Sequence, residues 1–342
     1  MNLYQKVFYY LMFPIITISY ILVPNTNDAR IYLGVEYIAD KFYPYPYGWD
    51  LAWEIKPMAN RMMAWVLYKL ASVVTPLENT ILFGVVVKAI ALCVVTTVIW
   101  YFARTVGGRW TFPLTWVAFT CIGNFVILQA EYWALLFSLF TVALLLHDNE
   151  NHHALAGFLF IVIALFKGIT GLLCIPIICA VLLLKPGMRL YLTDIFFGFC
   201  SALGTFLWLC ISIWHYALPD MLMSAQVARV GQFPFWMYGM SELAYMFSAF
   251  LYIPIISVGC IAGIFYLIKL GYSDQSHTAL FAVMWVVPLA IIYIQGEFFV
   301  YHYFVLTLPT LITLILWNRE RTTKKKEIPY ERRPLDAKVP DI

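Results

Sequence analysis

Charge is what this chain has little of. Only 12% of its 342 residues are Asp, Glu, Lys or Arg, and 63% are hydrophobic. A soluble domain carries about 25% charged and about 45–50% apolar residues. With a mean hydropathy of +0.80, a soluble globular reading does not fit. Nucleotide chemistry is missing as well, since the chain has neither a Walker motif nor a GxGxxG fingerprint. Cys93, Cys121, Cys174, Cys179, Cys200, Cys210 and Cys260 all lie within apolar runs and show no metal spacing. They read as small core hydrophobes and not as a disulfide framework. No small-residue cleavage site precedes the polar Asn25-Thr26-Asn27, so the first apolar run is expected to stay as an anchor. No internal repeat suggests the pseudosymmetry of many transporters. The formal charge of +3 and a basic end interleaved with acids give no case for nucleic acid.

What the chain does have is apolar runs of roughly 17–25 residues, the length of membrane helices and not of the alternating strands of a barrel. The pattern predicts an all-α polytopic membrane protein. Ten spans are expected, at 7–23, 80–103, 111–126, 129–147, 154–168, 170–185, 192–215, 247–270, 278–296 and 302–318. The third, fifth and sixth are short, which leaves a half-span or re-entrant segment open. Ten spans put Lys6, Arg104, Arg109, Lys185, Arg189, Lys269, Arg319 and the basic residues after it on one side. That side is then cytoplasmic, in a plasma or inner membrane, or in an ER membrane of a eukaryote. Residues 1–318 form the membrane domain. Residues 319–342 are expected to be a disordered basic tail able to touch anionic lipid. His147, Asp148, Glu150, His152 and His153 fall in an inner turn, either plainly solvated or able to hold a metal.

The opposite, outer side gathers the other ionisable groups. Asp28 opens a segment with Ile31, Val35 and Ile38 at helical spacing. It is either the cap of an interfacial helix or a carboxylate able to take a proton from a hydroxyl. Tyr45 and Trp49 stand in a Tyr-Pro run at headgroup level, where aromatic faces suit an interface or the stacking of sugar rings. Glu54, Lys56 and Arg61 flank Pro57, which suits the first turn of a helix. The two cations either hold a phosphate or pair with Glu54 or Asp50. Glu131 starts a strongly apolar helix, as a dipole partner or as a buried functional acid. Lys167 reads first as a lysine snorkelling to the surface. Arg229 is the lone basic residue of its loop and its best anion contact. Gln295, Glu297, Tyr301 and His302 crowd a short outer gap, where His302 is either a phosphate contact or capped by a neighbouring tyrosine.

This layout resembles the GT-C superfamily of integral-membrane glycosyltransferases. The resemblance rests on Asn27-Asp28-Ala29-Arg30 after a single first span, and on Glu54-Ile55-Lys56-Pro57-Met58-Ala59-Asn60-Arg61. It rests also on Gln129-Ala130-Glu131 opening an apolar helix, with the next span ending in Lys167, and on Gln295-Gly296-Glu297 running to Tyr301-His302. The last is similar to a Gln-Gly-Lys…Tyr-His segment of polyprenyl-phosphate-mannose transferases. Two departures stand out: Asp28 has no acidic neighbour, and Glu297 occupies a usually basic position. The resemblance implies transfer of a mannose-like sugar from a polyprenyl phosphate to a glycan or glycolipid acceptor on the outer face, with inversion. Asp28 would be the base, Glu131 would orient the acceptor or share that work, and Lys56, Arg61, Arg229 and His302 would hold the donor phosphate. Tyr45, Trp49, Glu54, Gln295, Glu297 and Tyr301 would contact substrate. No metal is demanded, although Asp28 with Glu131 could hold a divalent cation. The alternative is a multi-pass transporter or flippase, which would need ionisable groups deep within spans.

Overall fold

The computed structural model describes residues 3–22, 58–75, 80–126, 129–212, 254–271, 275–295 and 300–327. Every regular element among them is helical. The amino-terminal rod comprises α1 (Leu3–Val7), a π-wound turn (Phe8–Met12) and α2 (Phe13–Leu22). Pro14 explains the wide turn. It has no N–H to give Tyr10 and its ring crowds that carbonyl. The chain widens just before it, and the Phe13 N–H bonds Phe8 O, five residues back.

There follow α3 (Met58–Val74), α4 (Thr80–Val106), α5 (Thr111–Val126), α6 (Ala130–Leu145) and α7 (Glu150–Phe166). A 3-10 segment (Gly168–Leu173) leads into α8 (Cys174–Leu184), then α9 (Leu192–Ser212), α10 (Pro254–Gly271) and α11 (Gln275–Gln295). A second 3-10 segment (Val300–Leu306) leads into α12 (Thr307–Glu327). By length and composition, three stretches can cross a bilayer: Leu82–Val106, Leu192–Ser212 and Gln275–Ile294. Shorter apolar helices occupy Ala130–Leu145, Glu150–Phe166, Gly168–Leu184 and Ile256–Gly271. The expected short sixth span therefore begins as 3-10 helix, through Leu173, and continues as α-helix from Cys174.

The core is built around α6. It is apolar on all sides, as a helix enclosed by others must be, and is buried from Ala130 to Leu136 without a gap. It packs against α4, α7, α8 and the Val300–Leu306 segment. Among the described residues, α7 and α9 make the most extensive helix–helix contact. A Cβ on Gly157 would lie 1.9 Å from the Ile195 carbonyl oxygen, and one on Gly198 would lie 1.8 Å from that of Ala154. Glycine at both positions lets the two backbones touch, the way membrane helices associate where lipid is as apolar as leucine.

The basic groups gather at one end of the bundle. Arg319 Nη1 donates to Leu184 O at 2.8 Å, and its Nη2 donates to Val106 O, tying together the ends of α4, α8 and α12. Lys185 Nζ donates to Leu146 O at 3.3 Å, and Lys269 pairs with Glu320, which also accepts from Tyr266 at 3.0 Å. The expected tail boundary at 318 is not a break, because α12 continues to Glu327. Arg319 donates to two helix-end carbonyls there, and Glu320 pairs with Lys269.

Candidate functional site

At the other end of the bundle, three ionisable side chains from distant parts of the chain meet. Glu131 lies in the first turn of α6, where a negative charge favours the helix dipole. Gln129 precedes it in an extended conformation, and its carbonyl accepts from the Tyr132 N–H at 3.2 Å. Lys167 stands where α7 ends. Its backbone is extended at φ −164° and ψ 118°, which breaks the helix and aims the side chain at α6. Thr170 fixes this corner. Its N–H donates to Lys167 O at 2.6 Å, and its hydroxyl, 2.6 Å from Ile163 O and 2.7 Å from Lys167 O, shares its one proton between them at the helix end. His302 comes from the second 3-10 segment, which packs on α6.

Lys167 Nζ donates to Glu131 Oε1 at 2.7 Å and lies 3.2 Å from His302 Nε2. His302 Nε2 is 3.6 Å from the same carboxylate oxygen. With lysine donating, His302 accepts at Nε2 and carries its proton on Nδ1. Glu131 and His302 are sealed off, at 2% and 1% side-chain exposure, whereas Lys167 is 32% exposed. Burying the carboxylate alone would cost several kcal/mol, and the ammonium that donates to it offsets that cost. The exposed member is thus the lysine. It does not snorkel away from the apolar core but turns inward onto α6.

Behind this cluster lies a second polar layer. Lys88 of α4 is 1% exposed and sits about 12 Å along the helix from Thr80. Its ammonium lies 5.8 Å from the Tyr20 ring centroid. Tyr20 and Tyr132 are both fully buried. Their hydroxyls lie within electrostatic reach of one another, without a hydrogen bond of ordinary length between them. Tyr132 neighbours Glu131 in sequence, so the two layers share α6.

Of the residues expected to act together, the structure joins Glu131 and His302 and adds Lys167. Asp28, Tyr45, Trp49, Glu54, Lys56, Arg229 and Glu297 lie outside the described residues. Arg61 falls on α3, Gln295 ends α11 and Tyr301 lies in the second 3-10 segment, but their side chains are likewise outside the description. At the basic end the His147 and His152 rings stand 4.9 Å apart. Among the described residues, no three His, Cys, Asp or Glu side chains group so as to hold a metal ion.

No family model matches this chain, nor does any curated protein or any solved structure.

Proposed function

We propose that this protein is a polytopic membrane glycosyltransferase of the GT-C kind. It transfers a mannose-like hexose from a polyprenyl phosphate to an acceptor hydroxyl. The observation that carries the reading is the Lys167–Glu131–His302 cluster, set at the end of the bundle away from the basic groups. An ammonium has three donors, and these contacts take two. Lys167 offers its partly exposed edge to a phosphate oxygen, with Glu131 and His302 beneath it holding the ammonium in place. In this reading the chain crosses the membrane ten times, the basic end is cytoplasmic and the cluster faces outward.

Asp28 takes the proton of the acceptor hydroxyl. The hydroxyl oxygen attacks the anomeric carbon opposite the phosphate, forming the glycosidic bond with inversion. The bond from anomeric carbon to phosphate oxygen breaks, and its electron pair leaves with the polyprenyl phosphate. Lys56, Arg61 and Arg229 join Lys167 in holding the leaving phosphate. Glu131 keeps Lys167 in place and orients the acceptor. Tyr45, Trp49, Glu54, Gln295, Glu297 and Tyr301 line the substrate path.

A transporter or flippase for a lipid-linked solute is the second reading, and buried Lys88 favours it. A transfer assay separates the two. Purified protein is offered labelled polyprenyl-phosphate sugars with membrane glycan extracts, beside an Asp28→Asn variant. Transfer by the wild type alone supports the proposal. Transfer by both moves the base elsewhere. Vesicle uptake of the labelled donor without any transfer favours transport.

A further inference from the structure

At the basic end, the amino-terminal rod, the end of α4 and the start of α5 enclose a groove of about 480 Å³. Gln5, Tyr9, Trp100, Arg104, Arg109 and Phe112 line it, and no acid does among the described residues. Gly107 and Gly108 adopt φ of +77° and +92°, a conformation open to glycine and strained for other residues. That turn, held by Thr111 Oγ1 donating to Gly107 O at 2.5 Å, brings Arg109 back beside Arg104. The Arg104 guanidinium lies 5.3 Å from the Trp100 ring centroid. Tyr9 and Phe112 stack at 6.3 Å with an interplanar angle of 16°. At the same end Lys185, Lys269 and Arg319 are engaged by carbonyls or by Glu320. Arg104 and Arg109 have no acidic partner among the described residues.

We infer that this groove holds the phosphate headgroup of an anionic phospholipid. The two guanidinium groups bind the phosphate oxygens, for which their planar donors are suited. The aromatic rings carry the glycerol and the first part of the acyl chain, as Trp and Tyr do at headgroup level. Trp100 is 51% exposed, directly above the arginine. A free phosphate would leave the exposed face of Trp100 in water, so a lipid fits the lining better. Basic pockets between membrane helices take such headgroups, and each arginine adds about fivefold to binding. The site is remote from the Glu131 cluster and does not depend on the function proposed for it.

The test titrates the detergent-purified full chain with short-chain phosphatidylglycerol, phosphatidylcholine and glycerol phosphate, counting bound lipid by native mass spectrometry. The groove predicts saturable binding of phosphatidylglycerol, at least tenfold tighter than phosphatidylcholine or glycerol phosphate. An Arg104→Gln/Arg109→Gln double variant should weaken it roughly 30-fold. Arg189→Gln, a basic position at the same end but outside the groove, should leave it unchanged. An unaltered unfolding midpoint in phosphatidylcholine shows that the double variant is folded. Equal binding of both lipids, equal binding of glycerol phosphate, or undiminished binding by the folded double variant each overturns the inference.

Discussion

Lys167 donates to Glu131 across the meeting point of two helices, at 2.7 Å, from the residue that ends α7 to the first turn of α6. This pair couples stability to the candidate site. Lys167→Met leaves a buried carboxylate with only His302 beside it. Detergent-unfolding titrations should show a loss of roughly 2–4 kcal/mol. Glu131→Gln keeps the shape and an acceptor, and should cost roughly 1–3 kcal/mol. Because each single change strands a partner, the double variant should lose at least about 1 kcal/mol less than the sum of the two. Strict additivity would mean that the pair is not formed.

The α7–α9 contact should be intolerant at one glycine and indifferent at another. Gly157→Ala drives a methyl group into the Ile195 backbone, whereas a Cβ on Gly204, also on α9, meets nothing within 4 Å. Overpacking of this kind costs about 1–3 kcal/mol, and backbone is slower to yield than a side chain. Gly204→Ala should be neutral or stabilising by up to about 1 kcal/mol, since alanine is the better helix former. Thermal unfolding of the two variants in one detergent checks the contrast.

Acid should weaken the basic end of the bundle. His147 lies in the turn between α6 and α7, and its Nε2 is 3.3 Å from Thr105 Oγ1. Burial, then the neighbouring His152 and Lys185, lower its proton affinity below the usual histidine value. In the unfolded chain it takes up a proton near pH 6.5, and in the fold only at lower pH. The unfolded state therefore binds more protons in that interval, so stability is full above about pH 6.5 and declines as pH falls below it. The unfolding midpoint should drop between about pH 7.5 and 5.5, and His147→Gln should flatten that slope. Equal slopes in the two proteins would show that His147 does not carry the pH dependence.

Much of the fold is legible in the sequence because apolar runs of spanning length have few structural outcomes. The expected starts at 80, 111 and 192 coincide with α4, α5 and α9. The α12 helix is different. Its apolar run ends near Trp317, but the helix continues to Glu327 because Arg319 and Glu320 find partners on α4, α8 and α10. A hydropathy pattern cannot register contacts between elements so far apart in the chain. The same limit applies at the candidate site. Glu131 and His302 each stood out as polar groups among aromatics. The pairing of Lys167 did not, because local sequence gives a lysine at a span end every reason to reach for water. Lys88 is a rare charge within an apolar run, and its place beside Tyr20 depends on how α2 meets α4.

If the Lys167 cluster grips a polyprenyl phosphate as proposed, direct binding reveals it without any need for an acceptor. The measurement is equilibrium binding of farnesyl phosphate, with farnesol as the phosphate-free control, to purified wild type, Lys167→Met and Lys167→Arg. Wild type should bind the phosphate saturably and farnesol at least tenfold more weakly, and Lys167→Met should lose at least about tenfold in phosphate binding. Lys167→Arg, which keeps the charge, should lose less. Undiminished binding by a folded Lys167→Met protein, or farnesol binding as tightly as its phosphate, would contradict the proposal.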